Sequence, residues 1–216
     1  TNASVMKIET RGSSPRRVVT AQGESFDADV VIACVSAPAL YEQLLDDAVV
    51  PNRISRAMAR YSWDPGTVRV DWALSGPVPW ASAPEVMPGT VHIAESREQM
   101  SRNLSLIQAG IVPKDPFLVA GQMTTTDPSR SPLGTESVGA YTRIGQKFVA
   151  DEARELKGDW GSSDCERFAD RIQGRFERYA PGFSERVIAR RVLGPHELQD
   201  LNANLVNGAI GGGTQR

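Results

Sequence analysis

A cysteine placed just after an apolar run can serve as a nucleophile held at the end of a buried strand, and Val30-Val31-Ile32-Ala33-Cys34-Val35 has that form. The glycines that flank a nucleophile elbow are missing, with Ala33 and Val35 in their places, so a core cysteine is the plainer reading and a cysteine hydrolase the sharper one. His92 lies in a strand-like stretch and His196 follows Pro195, far along the chain. Their separation offers no metal-binding spacing, so a zinc site is not expected. The acidic segment 151–159 and the arginines Arg167, Arg171, Arg175 and Arg178 have the spacing of solvated helix faces joined by ion pairs. Trp63, Trp72, Trp80 and Trp160 can line an apolar cavity or simply fill a core. The glycines from Gly208 to Gly213 do not form the G-x-G-x-x-G turn that lets backbone N–H groups approach a pyrophosphate, and they read as a loop.

Composition removes other classes. With 24 basic and 26 acidic residues among 216, no field of one sign is available to hold nucleic acid. An apolar content of 40% is enough to fill a sizeable core. No apolar run reaches the ~18 residues of a spanning helix, and the first residues have no leader pattern. Cys34 and Cys165 lie far apart in apolar or helical surroundings, as reduced cysteines do, and a cytoplasmic location is expected.

The elements that must position these residues follow from pattern. Residues 5–19 read as a hairpin about the turn RGSSP (11–15), and residues 30–35 as a strand buried on both faces. Pro38 opens a short helix through Leu45, and Ile54, Met58 and Tyr61 have helical spacing. Strands are expected over 67–74, 90–94, 117–124, 138–144 and 187–193. Ser96 with Gln99, and Ser163 with Glu166, form capping boxes for helices towards Ala109 and Tyr179, and Pro195 opens a last short helix. The fold class is α+β, a mixed β-sheet backed by helices.

Five stretches taken together carry a resemblance: ADVVIACVSAP (28–38), GTVHIA (89–94), ERYAPGF (177–183), RRVLGPHELQDLN (190–202) and NLVNGAIGGG (204–213). In order and spacing they resemble the phytoene-desaturase-like FAD-dependent dehydrogenases of the flavin amine oxidase superfamily. The resemblance implies a central, substrate-side portion of such an enzyme without its nucleotide fingerprint, inert alone. Residues 1–50 would be the segment returning to the FAD domain and 51–216 the substrate-binding domain.

It further implies that Ala33, Cys34 and Val35 pack near the dinucleotide and that the loop with Gly211 and Gly212 approaches the isoalloxazine. Trp72, His92 and Asn207 are the substrate-side candidates. Relatives commonly carry a glycine and an acidic residue in that last loop where this chain has Asn207 and Ala209, which puts the acidic residue's polar role in doubt. The implied chemistry is hydride removal by FAD from an apolar small-molecule substrate, a carotenoid or isoprenoid. Such chemistry needs little acid–base help from the protein. The implied partners are that substrate, a membrane surface touched peripherally, and a second copy of the chain. The absence of any catalytic constellation leaves a self-contained ligand-binding module as the alternative.

Overall fold

The segment Thr67 to Leu74 alternates residue types, and in the computed structural model, which describes residues 3–12 and 14–214, this alternation becomes two faces of one strand. Val68, Val70, Trp72 and Leu74 are buried, whereas Arg69, Asp71 and Ala73 point the other way and are partly or largely exposed. The chain divides into two compact units, Thr1–Trp63 with Gly212–Arg216, and Asp64–Gly211.

In the first unit, β1 (Val5–Arg11), β2 (Ser14–Thr20) and β3 (Ser25–Asp27) form a three-stranded antiparallel sheet. Ser13, in the expected turn, lies outside the described residues. Pro38 precedes a helical turn over Ala39–Leu44, and α1 spans Asn52–Met58. The chain's last described residues return here, since Thr214 N–H donates to Ser62 O at 2.8 Å and Gly213 bridges Trp63.

The expected buried strand over 30–35 does not form. These residues are irregular and mostly exposed, with Val30 74% and Ile32 85% accessible. A strand of this kind needs a partner on each edge and cover on each face. None of the described strands pairs with it.

The second unit begins with β4 (Gly66–Leu74) and β5 (Thr90–Ile93), then α2 (Arg97–Gln108), β6 (Ile111–Val112) and β7 (Leu118–Gln122). There follow α3 (Met123–Thr126), β8 (Glu136–Ile144), β9 (Ala150–Asp151), α4 (Ser162–Tyr179), β10 (Val187–Leu193) and α5 (Pro195–Leu201). Five strands join in the order β10-β4-β8-β7-β5, every pair antiparallel, while β6 and β9 form a short parallel pair.

One face of the five-stranded sheet is covered by α4. Phe168, Ile172 and Phe176 of α4 are fully buried with Val68, Val70, Trp72 and Leu74 in one core. Trp72 meets Phe176 edge-on at 5.1 Å and Phe183 at 5.4 Å, and its indole N–H donates to Gln173 Oε1.

A flank of α4 carries the arginines, and here the expectation of solvated helix faces needs correction. Arg171 and Arg175 have side chains only 8% and 2% exposed. Arg171 grips Asp151 through two bonds of 2.8 Å, Nη1 to Oδ1 and Nη2 to Oδ2. Burial pushes the Asp151 carboxyl up, but the Arg171 guanidinium and the N–H groups of Glu155 and Leu156 outweigh it and hold the acid below the usual carboxylate range.

A folded-state pKa below the unfolded value of ~3.9 means that the stabilisation is complete above that value and is lost as pH falls through the folded one. Asp151→Asn should therefore cost about 1.5–3 kcal/mol in urea unfolding at neutral pH, because it removes the two-bond partner of the buried Arg171 and leaves it only the more exposed Glu155, paired at 2.8 Å. The penalty should shrink as pH is lowered below ~3.9.

Candidate functional site

Residues paired across antiparallel strands share a face, so the register lays out the surface opposite α4. His92, Val119, Tyr141, Arg69 and Leu193 form one row across the sheet. The next row is Thr90, Gly121, Gly139, Asp71 and Arg191.

Glycine at the middle of that second row has a physical reason. A Cβ on Gly139 would lie 2.6 Å from Asp71 Oδ1, and one on Gly121 would lie 2.7 Å from Met123 Cε. The bare backbone lets neighbouring side chains lie flat across the strands. Arg69 and Asp71, two apart on β4, pair on this surface at 2.9 Å.

Helix α2 flanks the same face. Its Ser96 cap accepts from Gln99 N–H, and Asn103 Oδ1, buried, accepts from Phe117 N–H at 2.8 Å, which fastens the helix to the start of β7. A cavity of about 340 Å³ lies among Met100, Leu104 and Ile107 of α2, Phe117 and Val119 at β7, and Tyr141 of β8.

Arg143 also lines this cavity. Its Nη1 donates to Pro65 O at 3.3 Å and Thr67 Oγ1 at 3.2 Å, and its guanidinium lies 5.8 Å from the Tyr141 ring centre. Among the described residues it forms no ion pair. The result is an apolar hollow with one fixed cation in its wall.

Of the residues singled out from sequence, His92 lies beside this hollow, exposed, with its ring edge-on to Phe117 at 5.5 Å. Trp72 occupies the opposite face, 2% exposed and enclosed by the α4 core. Asn207 is exposed with a left-handed backbone (φ 48°), and its N–H donates to Gln199 Oε1 at 2.6 Å.

Gly211 belongs to the sheet unit, where a Cβ would come within 2.3 Å of Asp64 Oδ2 and 4.0 Å of Arg143 Nη2. Gly212, Ala33, Cys34 and Val35 belong to the other unit, and the last three are exposed or half-exposed. Tyr141, Arg143, Leu104 and the glycine row were not singled out from sequence. The signal present was glycine inside two strand patterns, which marks close approach.

No family model matches the chain. Over 97% of its length it is 22% identical to pyridine nucleotide-disulfide oxidoreductase domain-containing protein 2 of Mus musculus, and 21% identical to the Rattus norvegicus protein of that name. The chain spans 38% of the length of each of these relatives.

Among solved structures it is similar to a putrescine oxidase redesigned in cofactor binding (TM-score 0.54, 15% identity, 88% of this chain and 34% of that one). It is also similar to cyclohexylamine oxidase from Brevibacterium oxydans (TM-score 0.52, 12% identity, 88% and 33%). The chain therefore has the α+β fold of a region of these oxidases, a sheet backed by helices. Its relatives in sequence and in fold are named as oxidoreductases and oxidases.

The cysteines are separated by environment. Cys34 is exposed, in a unit that contains neither histidine. Cys165 is buried, its Sγ within 3.2 Å of Trp160 O, and burial, aided by the charge of Glu197, pushes its pKa up to about 11. A thiol reagent at mildly alkaline pH should label one cysteine per folded chain, mapped by peptide mass to Cys34, and two after unfolding. Rapid labelling of both in the folded chain would contradict the core placement of Cys165.

Proposed function

We propose that this chain is the substrate-side portion of an FAD-dependent oxidoreductase that oxidises an apolar small molecule by hydride transfer. The observation that carries the reading is an open, cavity-bearing sheet face in a chain whose fold is shared with two amine-oxidising enzymes. FAD would supply the hydride acceptor, the hard chemistry of the reaction. The protein's own residues would orient the substrate and exclude water: Phe117, Val119 and Tyr141 as apolar wall, and Arg143 as the fixed charge.

The residues present do not make a dinucleotide cradle. The sequence has no G-x-G-x-x-G turn, and the backbone at Gly211 is already crowded by Asp64. In this proposal the nucleotide is held by other parts of a longer protein, bordered by Ala33, Cys34, Val35, Gly211 and Gly212. Trp72 would act only as a core residue behind the substrate face, and His92 and Asn207 would lie at its margins. A carotenoid or other isoprenoid is the narrower substrate reading, with one end of the molecule in the hollow.

No helix among the described residues is long and apolar enough to cross a membrane. Contact with a membrane surface, from which an apolar substrate could be drawn, belongs to the same proposal. So does self-association through the exposed apolar residues Val30 and Ile32. Light scattering should show the chain larger than a monomer at high concentration, and Val30→Asp with Ile32→Asp should reduce that size. A monomer at every concentration would count against it.

The redox reading is tested by expressing both this chain and a product covering the full length of its relatives. The longer product should carry stoichiometric flavin absorbance and this chain none. Stoichiometric flavin on the 216-residue chain would overturn the division of labour, and no flavin on the longer product would overturn the redox role.

A further inference from the structure

We infer that the hollow between α2 and the sheet takes an amphiphile with an anionic head, a carboxylate seated on Arg143 with its hydrocarbon tail along Leu104, Ile107 and Phe117. This deepens the proposed function, since it rests on reading that face as the substrate side. Three observations carry it.

The wall holds one cation, and its polar residues Asn103 and Thr142 are engaged with the Phe117 backbone, so the rest of it is largely apolar. A hollow of about 340 Å³ is roughly twice the size of a cavity that holds benzene, which suits a ligand of about a dozen non-hydrogen atoms. An uncharged hydrocarbon would leave the guanidinium facing an apolar tail, with part of its hydration removed and nothing in return. A cationic ligand would add like charge to it.

Arg143 is also positioned before any ligand arrives. Pro65 O and Thr67 Oγ1 hold Nη1, and the Tyr141 ring supports the guanidinium plane, so Nε and Nη2 are left without hydrogen bonds among the described residues. A guanidinium fixed in this way loses little entropy on taking a carboxylate.

The neighbouring cation is occupied. Arg69 donates through Nε and Nη2 to Asp71. The Asp64 carboxylate approaches the loop at Gly211, but it makes no ion pair with Arg143. Arg191, in the second row, stands on the edge strand β10, so the uncommitted positive charge that lines the apolar hollow is Arg143's.

The test is direct binding by calorimetry to the 216-residue chain of three ten-carbon probes: decanoate, decanol and decylamine. Decanoate should bind at least about tenfold more tightly than decanol, the margin of a charge-assisted hydrogen bond, and decylamine should bind least. Arg143→Met should remove the preference for decanoate and leave decanol binding within about twofold, whereas Arg143→Lys should retain most of it.

Leu104 is 59% exposed on α2, so Leu104→Trp should leave the fold intact, checked by its unfolding curve, and should weaken all three probes by filling the hollow. Equal binding of the three probes, or tightest binding of decylamine, would overturn the anionic assignment. Undiminished binding to Leu104→Trp would overturn the location. These outcomes are distinct from failure of the redox reading, which flavin content decides: a chain that binds decanoate as described while the longer product carries no flavin keeps the site and loses the redox role.

Discussion

The packing of α4 against one face of β4 is the contact on which the second unit depends. Phe168, Ile172 and Phe176 meet Val68, Val70, Trp72 and Leu74, all at 2% exposure or less. Each such side chain contributes roughly 1.5–3 kcal/mol by leaving water, so this one interface outweighs any hydrogen bond in the unit. Because strand residues alternate, committing one set to α4 commits the other set to the opposite surface. Arg69 and Asp71 are on the open face because Val70 and Trp72 are in the core.

The arginines of α4 hold what the core does not reach. Arg171 ties Asp151 of β9 to the helix, and Arg175 reaches Glu95 and Asp115, which stand at either end of the segment containing α2. Burial of these guanidiniums leaves Arg171 Nε and Arg175 Nε and Nη2 without hydrogen-bond partners. Aromatic rings beside them, Phe168 at 5.3 Å and Tyr179 at 5.6 Å, offer a partial substitute through their negative faces. The network is best understood as fixing where loops lie. Buried ion pairs contribute little net stability over apolar replacements, yet breaking one is costly.

Periodicity in the sequence carries most of this architecture. Strands expected at 67–74, 90–94, 138–144 and 187–193 appear as Gly66–Leu74, Thr90–Ile93, Glu136–Ile144 and Val187–Leu193. The Ser96 cap forms, its hydroxyl accepting from Gln99 N–H, but the Gln99 carboxamide oxygen accepts from Glu95 N–H, so the box is not closed on Ser96 itself. The second capping box does not form: α4 starts at Ser162 after Gly161, and Asp164 turns its carboxylate to the N–H groups of Lys157 and Gly158 instead. A competing acid one residue away cannot be weighed from spacing alone. The run at 30–35 failed for another reason, since hydrophobicity states a preference for burial but not the presence of something to be buried against.

The candidate site was nearly invisible in sequence because it is written across strands rather than along them. His92, Tyr141 and Arg69 come from three segments, and only the register β5-β7-β8-β4 aligns them. Trp72, a substrate-side candidate from the resemblance, shares the parity of Val68 and Val70, and that parity turns it towards α4. Gly121 and Gly139 would have been better guides. Glycine weakens a strand interior, so two of them opposite each other in the centre of a sheet call for a compensating reason. Here the reason is spatial: Asp71 can lie across Gly139 and pair with Arg69 in the plane of the sheet. Arg69 is thereby committed to a neighbour, whereas Arg143 is fixed but uncommitted. If this face is the substrate wall proposed above, a neutralised Arg69 beside a fixed and available Arg143 would set where a ligand's charge can sit against the hollow.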